Sequence, residues 1–276
     1  MNTGVLYIAS GEEYITEARH SAKSVLDYTD VPVALLTDTP VDESVFDHII
    51  RDENVAAHHG DAGQHLSKSP FDRTLYLDTD TYVTADISEL FTLLDRFGVA
   101  AAHAPYRNVA PEAFSKNVNE ALPDIPTAFP EYNRGVIAFD DSEETNAFLD
   151  SYRRIFRHHF EEYDISHDQV ALRQALYQSN VRIATLPPEY NYRLTGPGYA
   201  QQRVKILHGR HPNLDQISTE LNRSTTPRAT HWSPGSPKDL IVVESDSSPV
   251  GRDRTAKQLT RQLLSTGREL AGTLLP

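Results

Sequence analysis

The feature that most constrains this chain is the alternation of short apolar runs with longer amphipathic segments. The first run, at residues 4–9, is continuously apolar and precedes a helical pattern at 12–27. This alternation is typical of βαβ units, in which parallel strands form a sheet that helices cover. We therefore predict an α/β protein with a single Rossmann-like, mostly parallel and twisted sheet flanked by helices. The further predicted strands are 32–38, 46–51, 73–83, 98–103, 134–140, 181–186, 204–209 and 238–244, and the further predicted helices are 86–97, 142–160 and 166–178.

Two segments depart from this alternation. Residues 104–131 are rich in Pro, Asn and aromatic residues without a clear period, and we expect a loop of this length to cover a site. From residue 246 a linker leads into a basic, amphipathic helical pattern at 252–275. We predict a main domain at 1–245 and a linker with a C-terminal helical tail at 246–276. The tail is expected either to pack on its own domain or to make a dimer or peripheral membrane contact.

The composition limits the partners and the chemistry. A formal net charge of −13 disfavours general nucleic-acid binding, because a phosphate backbone would be repelled. The absence of Cys excludes disulfides and thiolate metal sites. No apolar run approaches the roughly 18 residues that a membrane span needs, and the first residues indicate a strand rather than a signal peptide. We expect a cytoplasmic protein, or one peripheral at the inner membrane face. The excess of acidic residues and the preference for Arg over Lys among the basic ones fit a halophile or an acidic mesophilic protein equally well.

An aspartate pair follows the apolar run at 74–77. In an extended segment, residues two apart point to the same side, so Asp78 and Asp80 are expected to project together while Thr79 points away. Ligands of open α/β sheets bind at the carboxyl ends of strands, where this pair lies. Two carboxylates there would repel each other unless a cation lay between them. The pattern predicts a divalent cation bound to a diphosphate. The structural alternative is that the two aspartates cap a helix or lie in a loop without binding a metal.

A second function fits the same motif. An apolar strand that ends in Asp-x-Asp-x-Thr is also typical of haloacid-dehalogenase-type phosphatases, in which the first Asp attacks a phosphate. In this alternative Asp78 would be the nucleophile, and the acidic run at 139–144 would be the later acidic motif. Such enzymes normally begin their catalytic domain with the nucleophile strand, whereas about three predicted strands precede Asp78 here.

The ordered motifs of residues 4–210 resemble the glycogenin-like glycosyltransferases of family 8, which have the GT-A fold. The segment ASGEEY is similar to the donor-binding loop of that family, which implies that Ala9, Ser10 and Tyr14 hold the nucleobase. The segment LDTDT matches the metal motif of the family and places Asp78 and Asp80 on the ion.

Three later segments also resemble this family. The segment YNRGVIAF implies that Asn133 and Gly135 lie near the transferred sugar, where a glycine lets the backbone approach a ligand. The segment HDQVAL implies that Asp168 and Gln169 face that sugar; a helix N-cap is the simpler structural alternative. The segment PPEYNYR makes Asn191 a further candidate.

The segment ILHGRHP resembles the region that completes the family's metal site. It implies that His208 is the third protein ligand, and a nitrogen ligand beside two carboxylates favours Mn²⁺ over Mg²⁺. The family's Lys-Pro-Trp is missing, so Arg210 or Lys68 is the candidate for the basic contact with the diphosphate. Arg134 stands where the family often has a small residue.

The resemblance implies a metal-dependent glycosyltransferase that moves a sugar from a nucleotide-diphosphate sugar to an acceptor with retention of configuration. A UDP-sugar is the favoured donor, Mn²⁺ is the favoured ion with Mg²⁺ as the alternative, and a glycan, a lipid-linked acceptor or a protein would receive the sugar. The phosphatase and a non-catalytic sugar-nucleotide binding protein remain the alternatives at this point.

Overall fold

A computed structural model of the chain describes residues 2–41, 45–55, 62–104, 125–194, 197–233 and 236–244. The predicted C-terminal helix at 252–275 and most of the predicted loop at 104–131 lie outside the described residues.

The chain alternates strands with helices as far as residue 186, and then becomes richer in short strands. The strands are β1 (Thr3–Ile8), β2 (Val33–Thr37), β3 (His48–Arg51), β4 (Arg73–Leu77), β5 (Thr81–Val83), β6 (Val99–His103), β7 (Tyr132–Asp140), β8 (Ile183–Leu186), β9 (Tyr192–Arg193), β10 (Gly198–Ala200), β11 (Ile206–His208), β12 (Arg228–Ser233) and β13 (Ser236–Glu244). The α-helices are α1 (Glu12–Leu26), α2 (Glu89–Leu93), α3 (Glu143–Tyr163), α4 (Gln169–Gln178) and α5 (Leu214–Leu221), and 3₁₀ turns lie at Ala62–Lys68 and Pro188–Tyr190.

The main sheet has seven strands in the order β3-β2-β1-β4-β7-β6-β8. All neighbouring strands are parallel except β7, which runs antiparallel to both β4 and β6. The predicted mostly parallel sheet is therefore confirmed. Two smaller sheets, β5-β11-β9 and β10-β12-β13, were not indicated by the sequence pattern.

The central strands are apolar on both faces because helices cover both. Val5 and Tyr7 of β1 belong to the apolar cluster on the α1 side, whereas Leu6 and Ile8 belong to the cluster that contains side chains of α3 and α4. This alternation is the period of two that a strand imposes on its side chains. A strand buried on both faces has no polar positions, so β1 appears in the sequence as a continuous apolar run.

Two predicted elements differ from the structure. The run at 73–83 is two strands rather than one, because the chain turns between them: the amide and hydroxyl of Thr81 both donate to the carbonyl of Asp78, at 3.1 and 2.8 Å. The second strand, β5, leaves the main sheet and pairs with β11. The predicted helix at 86–97 is reduced to α2, since tight i→i+3 bonds such as Arg96 N–H to the Leu93 carbonyl end it early.

Among the described residues, no helix is both long and apolar enough to cross a membrane.

Candidate metal centre

A cleft of about 310 Å³ opens where β1 and β4 end, at the carboxyl edge of the main sheet. Its walls come from the turn after β4, from β7, from the start of α4 and from the strands β9 and β11 of the small sheet. The residues that line it are Ile8, Ala9, Ser10, Tyr14, Val55, Tyr76, Asp78, Thr79, Asp80, Asn133, Arg134, Gly135, His167, Asp168, Gln169, Arg193, His208 and Arg210.

Two carboxylates and one imidazole converge in this cleft. The Nε2 atom of His208 lies 3.4 Å from Oδ2 of Asp78 and 3.3 Å from Oδ1 of Asp80. The three potential ligand atoms all lie within 4.8 Å of one another. The antiparallel pairing of β5 with β11 brings them together, because it places His208 opposite Thr81, directly after the aspartate turn. The structure thus unites the three residues that the sequence predicts as metal ligands.

The close approach of β7 to these ligands depends on a glycine. The amide of Asp78 donates to the carbonyl of Gly135 at 2.8 Å, which holds the turn against β7. A Cβ atom at residue 135 would lie 1.9 Å from Cε1 of His208 and 2.6 Å from Oδ2 of Asp78. Any side chain at this position would therefore displace both predicted ligands.

A chain of amides fixes the imidazole of His208. The backbone amide of Gly135 donates to Oδ1 of Asn133 at 3.1 Å, so the other end of that side chain is the donor. Asn191 Nδ2 in turn donates to Oδ1 of Asn133 at 2.9 Å, which leaves Asn191 Oδ1 to accept from Nδ1 of His208 at 2.8 Å. Nδ1 therefore carries a proton, and Nε2 faces the two aspartates, where it can bind a cation in place of a second proton.

These residues fit a divalent cation. Two carboxylate oxygens and an imidazole nitrogen that gives up its proton on binding are suitable ligands for a first-row divalent metal. Hydrogen bonding of the other imidazole nitrogen is the usual support of a histidine ligand. Within the described part of the chain, these are the only three such side chains that cluster closely enough to share an ion.

Replacement of Asn191 by Ala is expected to weaken Mn²⁺ binding by about 10- to 100-fold, because the imidazole loses the acceptor that fixes its orientation. Isothermal titration with Mn²⁺ measures this change. Asn191→Asp keeps an acceptor for Nδ1 and should lose less affinity, and the exposed Asn146→Ala serves as a matched control. Equal Mn²⁺ affinity of the wild type and Asn191→Ala would contradict this role.

Arg134 joins one of the predicted metal ligands to a second buried carboxylate. Its guanidinium donates to Oδ1 of Asp78 at 2.9 Å and to Oδ2 of Asp168 at 2.6 Å. Tyr76 donates to the same Asp78 oxygen at 2.7 Å, and Tyr152 donates to Oδ2 of Asp168 at 2.6 Å. Arg134 and Asp168 are only 8% and 3% exposed, so the network is shielded from solvent.

The surroundings keep both aspartates of the turn ionised. Burial raises the pKa of Asp78, but the Arg134 guanidinium and His208 oppose it strongly, so the net pKa lies well below its ordinary value. Burial also raises the pKa of Asp80, and the hydrogen bond and charge of His208 reverse that effect and lower it overall. Deprotonated carboxylates are the form that binds a metal.

Gln169, which the sequence predicts to face the sugar, begins α4 and lines the cleft. Its Nε2 donates to Oε2 of Glu131 at 2.6 Å, while Nδ2 of Asn133 approaches its Oε1 at 3.5 Å. Glu131 is 1% exposed, and burial raises its pKa despite the Gln169 hydrogen bond. Glu131 therefore fixes the orientation of the Gln169 amide in the cleft wall.

The predicted nucleobase loop also lines the cleft. Ala9, Ser10 and Tyr14 are all in the wall, and the Ser10 hydroxyl donates to Asp38 at 2.8 Å. Arg210 lies over the ring of Tyr14, 5.6 Å from its centroid, and its guanidinium binds Glu17 through two nitrogens at 2.5 and 2.9 Å.

The two predicted basic contacts differ in position, and a third cation is present. Arg210 lines the cleft, whereas Lys68 is not part of its lining and forms an ion pair with Asp52. Arg193 also lines the cleft; it ends the segment PPEYNYR, from which only Asn191 was predicted as a site residue. The signal that would have found it is structural: β9 runs parallel to β11 and pairs Arg193 with His208.

The fold is similar to that of several solved glycosyltransferases. Mouse xyloside xylosyltransferase 1 aligns with a TM-score of 0.51 and 14% identity, covering 76% of this chain and 98% of that chain. The galactosyltransferase LgtC, solved with donor and acceptor sugar analogs, gives 0.51 and 15%, covering 80% and 95%. GlyE of Streptococcus pneumoniae gives 0.52 and 15%, covering 81% and 61%. By sequence, the chain matches no protein-family model and no curated protein.

These similarities confirm the predicted GT-A fold, and at such low identity they carry the fold alone. The phosphatase alternative expects the aspartate strand to be the first strand of the domain. Here that strand is β4, the fourth along the chain, and it lies between β1 and the antiparallel β7.

Proposed function

We propose that this protein is a metal-dependent glycosyltransferase that uses a nucleotide-diphosphate sugar. The convergence of Asp78, Asp80 and His208 in a cleft of the GT-A fold carries the proposal. A UDP-sugar is the favoured donor and Mn²⁺ the favoured ion, with Mg²⁺ as the alternative. Membership of the glycogenin-like family 8 is part of the proposal and rests on the ordered sequence motifs.

The residues of the centre would bind the cation and orient it towards the donor. Asp78 and Asp80 supply charge, and His208 supplies a neutral nitrogen whose direction the Asn191 amide fixes. A bound divalent cation would supply Lewis-acid stabilisation of the departing diphosphate. Ala9, Ser10 and Tyr14, which line the same cleft, would hold the nucleobase.

The predicted sugar-facing residues take more specific roles in this proposal. Asp168 has one carboxylate oxygen engaged by both Arg134 and Tyr152, which favours a fixed negative charge over a covalent nucleophile. Gln169 and Asn133 line the cleft and would contact the donor sugar. Asn191 does not line the cleft, and its amide is occupied by Asn133 and His208, so we assign it to orienting the metal ligand rather than to donor binding. Retention of configuration is the expected outcome.

The acceptor and the cellular setting extend the proposal beyond the described residues. We propose a glycan, a lipid-linked acceptor or a protein as the acceptor. In this scheme residues 1–245 form the catalytic domain of a cytoplasmic enzyme, and the basic helix at 252–275 provides a dimer or membrane contact.

A panel of nucleotide sugars tests the proposal. Purified protein is incubated with each sugar and Mn²⁺, with and without excess chelator, and released nucleoside diphosphate is measured. Metal-dependent release from one donor is the expected result. Hydrolysis of simple phosphate esters with Mg²⁺ and no nucleotide requirement would support the phosphatase instead. Donor binding without release, in the presence of candidate acceptors, would indicate a binding protein.

A further inference from the structure

Arg193 is a cation of the cleft that Asp80 and Asp78 attract only from beyond ion-pair distance. Its guanidinium makes no hydrogen bond or ion pair within the described part of the chain, although the residue is partly buried in the cleft wall. A partly buried charge that no hydrogen bond or close ion pair satisfies is unfavourable unless a ligand or water compensates it. This distinguishes Arg193 from the other two arginines of the cleft.

The other two arginines are already paired. Arg134 spans Asp78 and Asp168, so its charge serves the interior of the network. Arg210 is engaged by both oxygens of Glu17 and is half exposed at the rim of the cleft. Lys68, bound to Asp52, does not line the cleft. Arg193 is therefore the cleft cation with the most bonding capacity to offer a ligand.

The small sheet places Arg193 beside the candidate metal centre. In the parallel pairing of β9 with β11, Arg193 lies opposite His208, and paired residues of neighbouring strands project from the same face about 5 Å apart. The preceding residue, Tyr192, points to the other face, where it is 2% exposed and packs among apolar side chains. Strand alternation thus fixes Arg193 towards the cleft and next to a predicted metal ligand.

An anion that contacts the cation would meet Arg193 as well. A divalent cation offsets the two turn carboxylates, which leaves the guanidinium charge uncompensated at the same wall. Planar guanidinium groups bind phosphate oxygens through two parallel N–H donors. We propose that Arg193 binds the diphosphate of the donor beside the metal ion and takes the place of a lysine contact in this chain. This inference rests on the proposed function.

Binding of nucleotides in saturating Mn²⁺ tests the inference. We expect Arg193→Met to weaken UDP binding by about 10- to 100-fold, the effect of losing hydrogen bonds to a charged group. The affinity for UMP, which lacks the second phosphate, should fall less, so the variant should prefer UDP over UMP less strongly than the wild type does. Arg193→Lys keeps the positive charge but lacks the planar guanidinium, so its UDP affinity should lie between those of the wild type and Arg193→Met. The pairs GDP and GMP, and ADP and AMP, are measured in the same way, because uracil as the donor base is itself part of the proposed function.

Controls separate a binding role from a structural one. Arg223→Met, at a guanidinium that is 69% exposed outside the cleft, should change neither affinity. Arg193→Met should bind Mn²⁺ alone at least as tightly as the wild type, because a nearby positive charge is lost, and should keep its circular dichroism spectrum. Equal losses of UDP and UMP affinity, or a loss of Mn²⁺ affinity, would overturn the inference in favour of a structural role.

The outcomes also separate this inference from the proposed function. If the wild type releases diphosphate from a nucleotide sugar but Arg193→Met keeps the full preference for UDP over UMP, only the role of Arg193 is wrong. If Arg210→Met loses that preference instead, Arg210 is the contact. If the wild type binds no nucleoside diphosphate in Mn²⁺, the function and the inference fail together.

Discussion

Replacement of Asp80 by asparagine is expected to lower metal-dependent turnover by about a thousandfold or more, while the protein stays folded. The carboxylate of Asp80 lies 3.3 Å from Nε2 of His208 and is a candidate ligand of the ion. Lewis-acid stabilisation by a bound metal contributes several kcal/mol, and each 1.36 kcal/mol corresponds to about a factor of ten in rate. An amide retains the shape of the side chain but removes its charge.

Asp80 is a cleaner test than Asp78 because it lies outside the Arg134 network. Asp78→Asn should also abolish turnover, yet it removes a partner of Arg134 at the same time. Diphosphate release is measured across a Mn²⁺ series, and direct Mn²⁺ titration gives a second readout that does not need the donor. The control is Asp150→Asn, at a side chain that is 60% exposed. Full turnover of Asp80→Asn, or unchanged Mn²⁺ affinity, would remove this residue from the metal site.

The residues of the candidate site that stand at the ends of apolar runs could be predicted from the sequence. Asp78 and Asp80 follow the apolar run of β4, and His208 ends the apolar run of β11 in a small sheet, so a strand pattern and a family resemblance suffice to propose all three. The local geometry was not predictable. The aspartates lie in a turn closed by Thr81 rather than on an extended strand, because the chain leaves one sheet there and enters another.

The charged partners of the site escaped prediction for a different reason. Arg134 bonds Asp168 and Asp78, which lie 34 and 56 positions away in the sequence, and Arg193 comes beside His208 only through strand pairing. No periodicity encodes either arrangement. Arg134 even breaks the pattern of small residues expected at its position. Only the pairing of β7 with β4 and of β9 with β11 shows what these two arginines face.

The second large effect is expected on stability. Arg134→Met should lower the free energy of unfolding by about 3–5 kcal/mol at pH 7, because removal of one partner leaves buried carboxylates without their counter-charge. Asp168, which is 3% exposed, loses its ion pair with Arg134, and Asp78 keeps only the one with His208 among the described residues. Urea unfolding measures the change. Arg153→Met, at an exposed i,i+3 pair, is the control and should change stability by about 1 kcal/mol or less.

The stability difference between the wild type and Arg134→Met should depend on pH through the pKa of Asp78. In the wild type the folded pKa of Asp78 is depressed below its ordinary 3.8, so its stabilisation is present above that value and is lost only as the pH falls through the lower folded value. Without Arg134, burial is opposed less and the folded pKa of Asp78 rises, so protonation relieves the variant sooner. The stability difference should therefore narrow as the pH falls below 7, because the buried carboxylate takes up a proton at a higher pH in the variant than in the wild type. Adding Asp168→Asn to Arg134→Met should recover part of the loss at pH 7, since it removes one unpaired charge. A variant as stable as Arg153→Met, or a deficit that neither low pH nor Asp168→Asn reduces, would mean that Arg134 does not hold the site together by its charge.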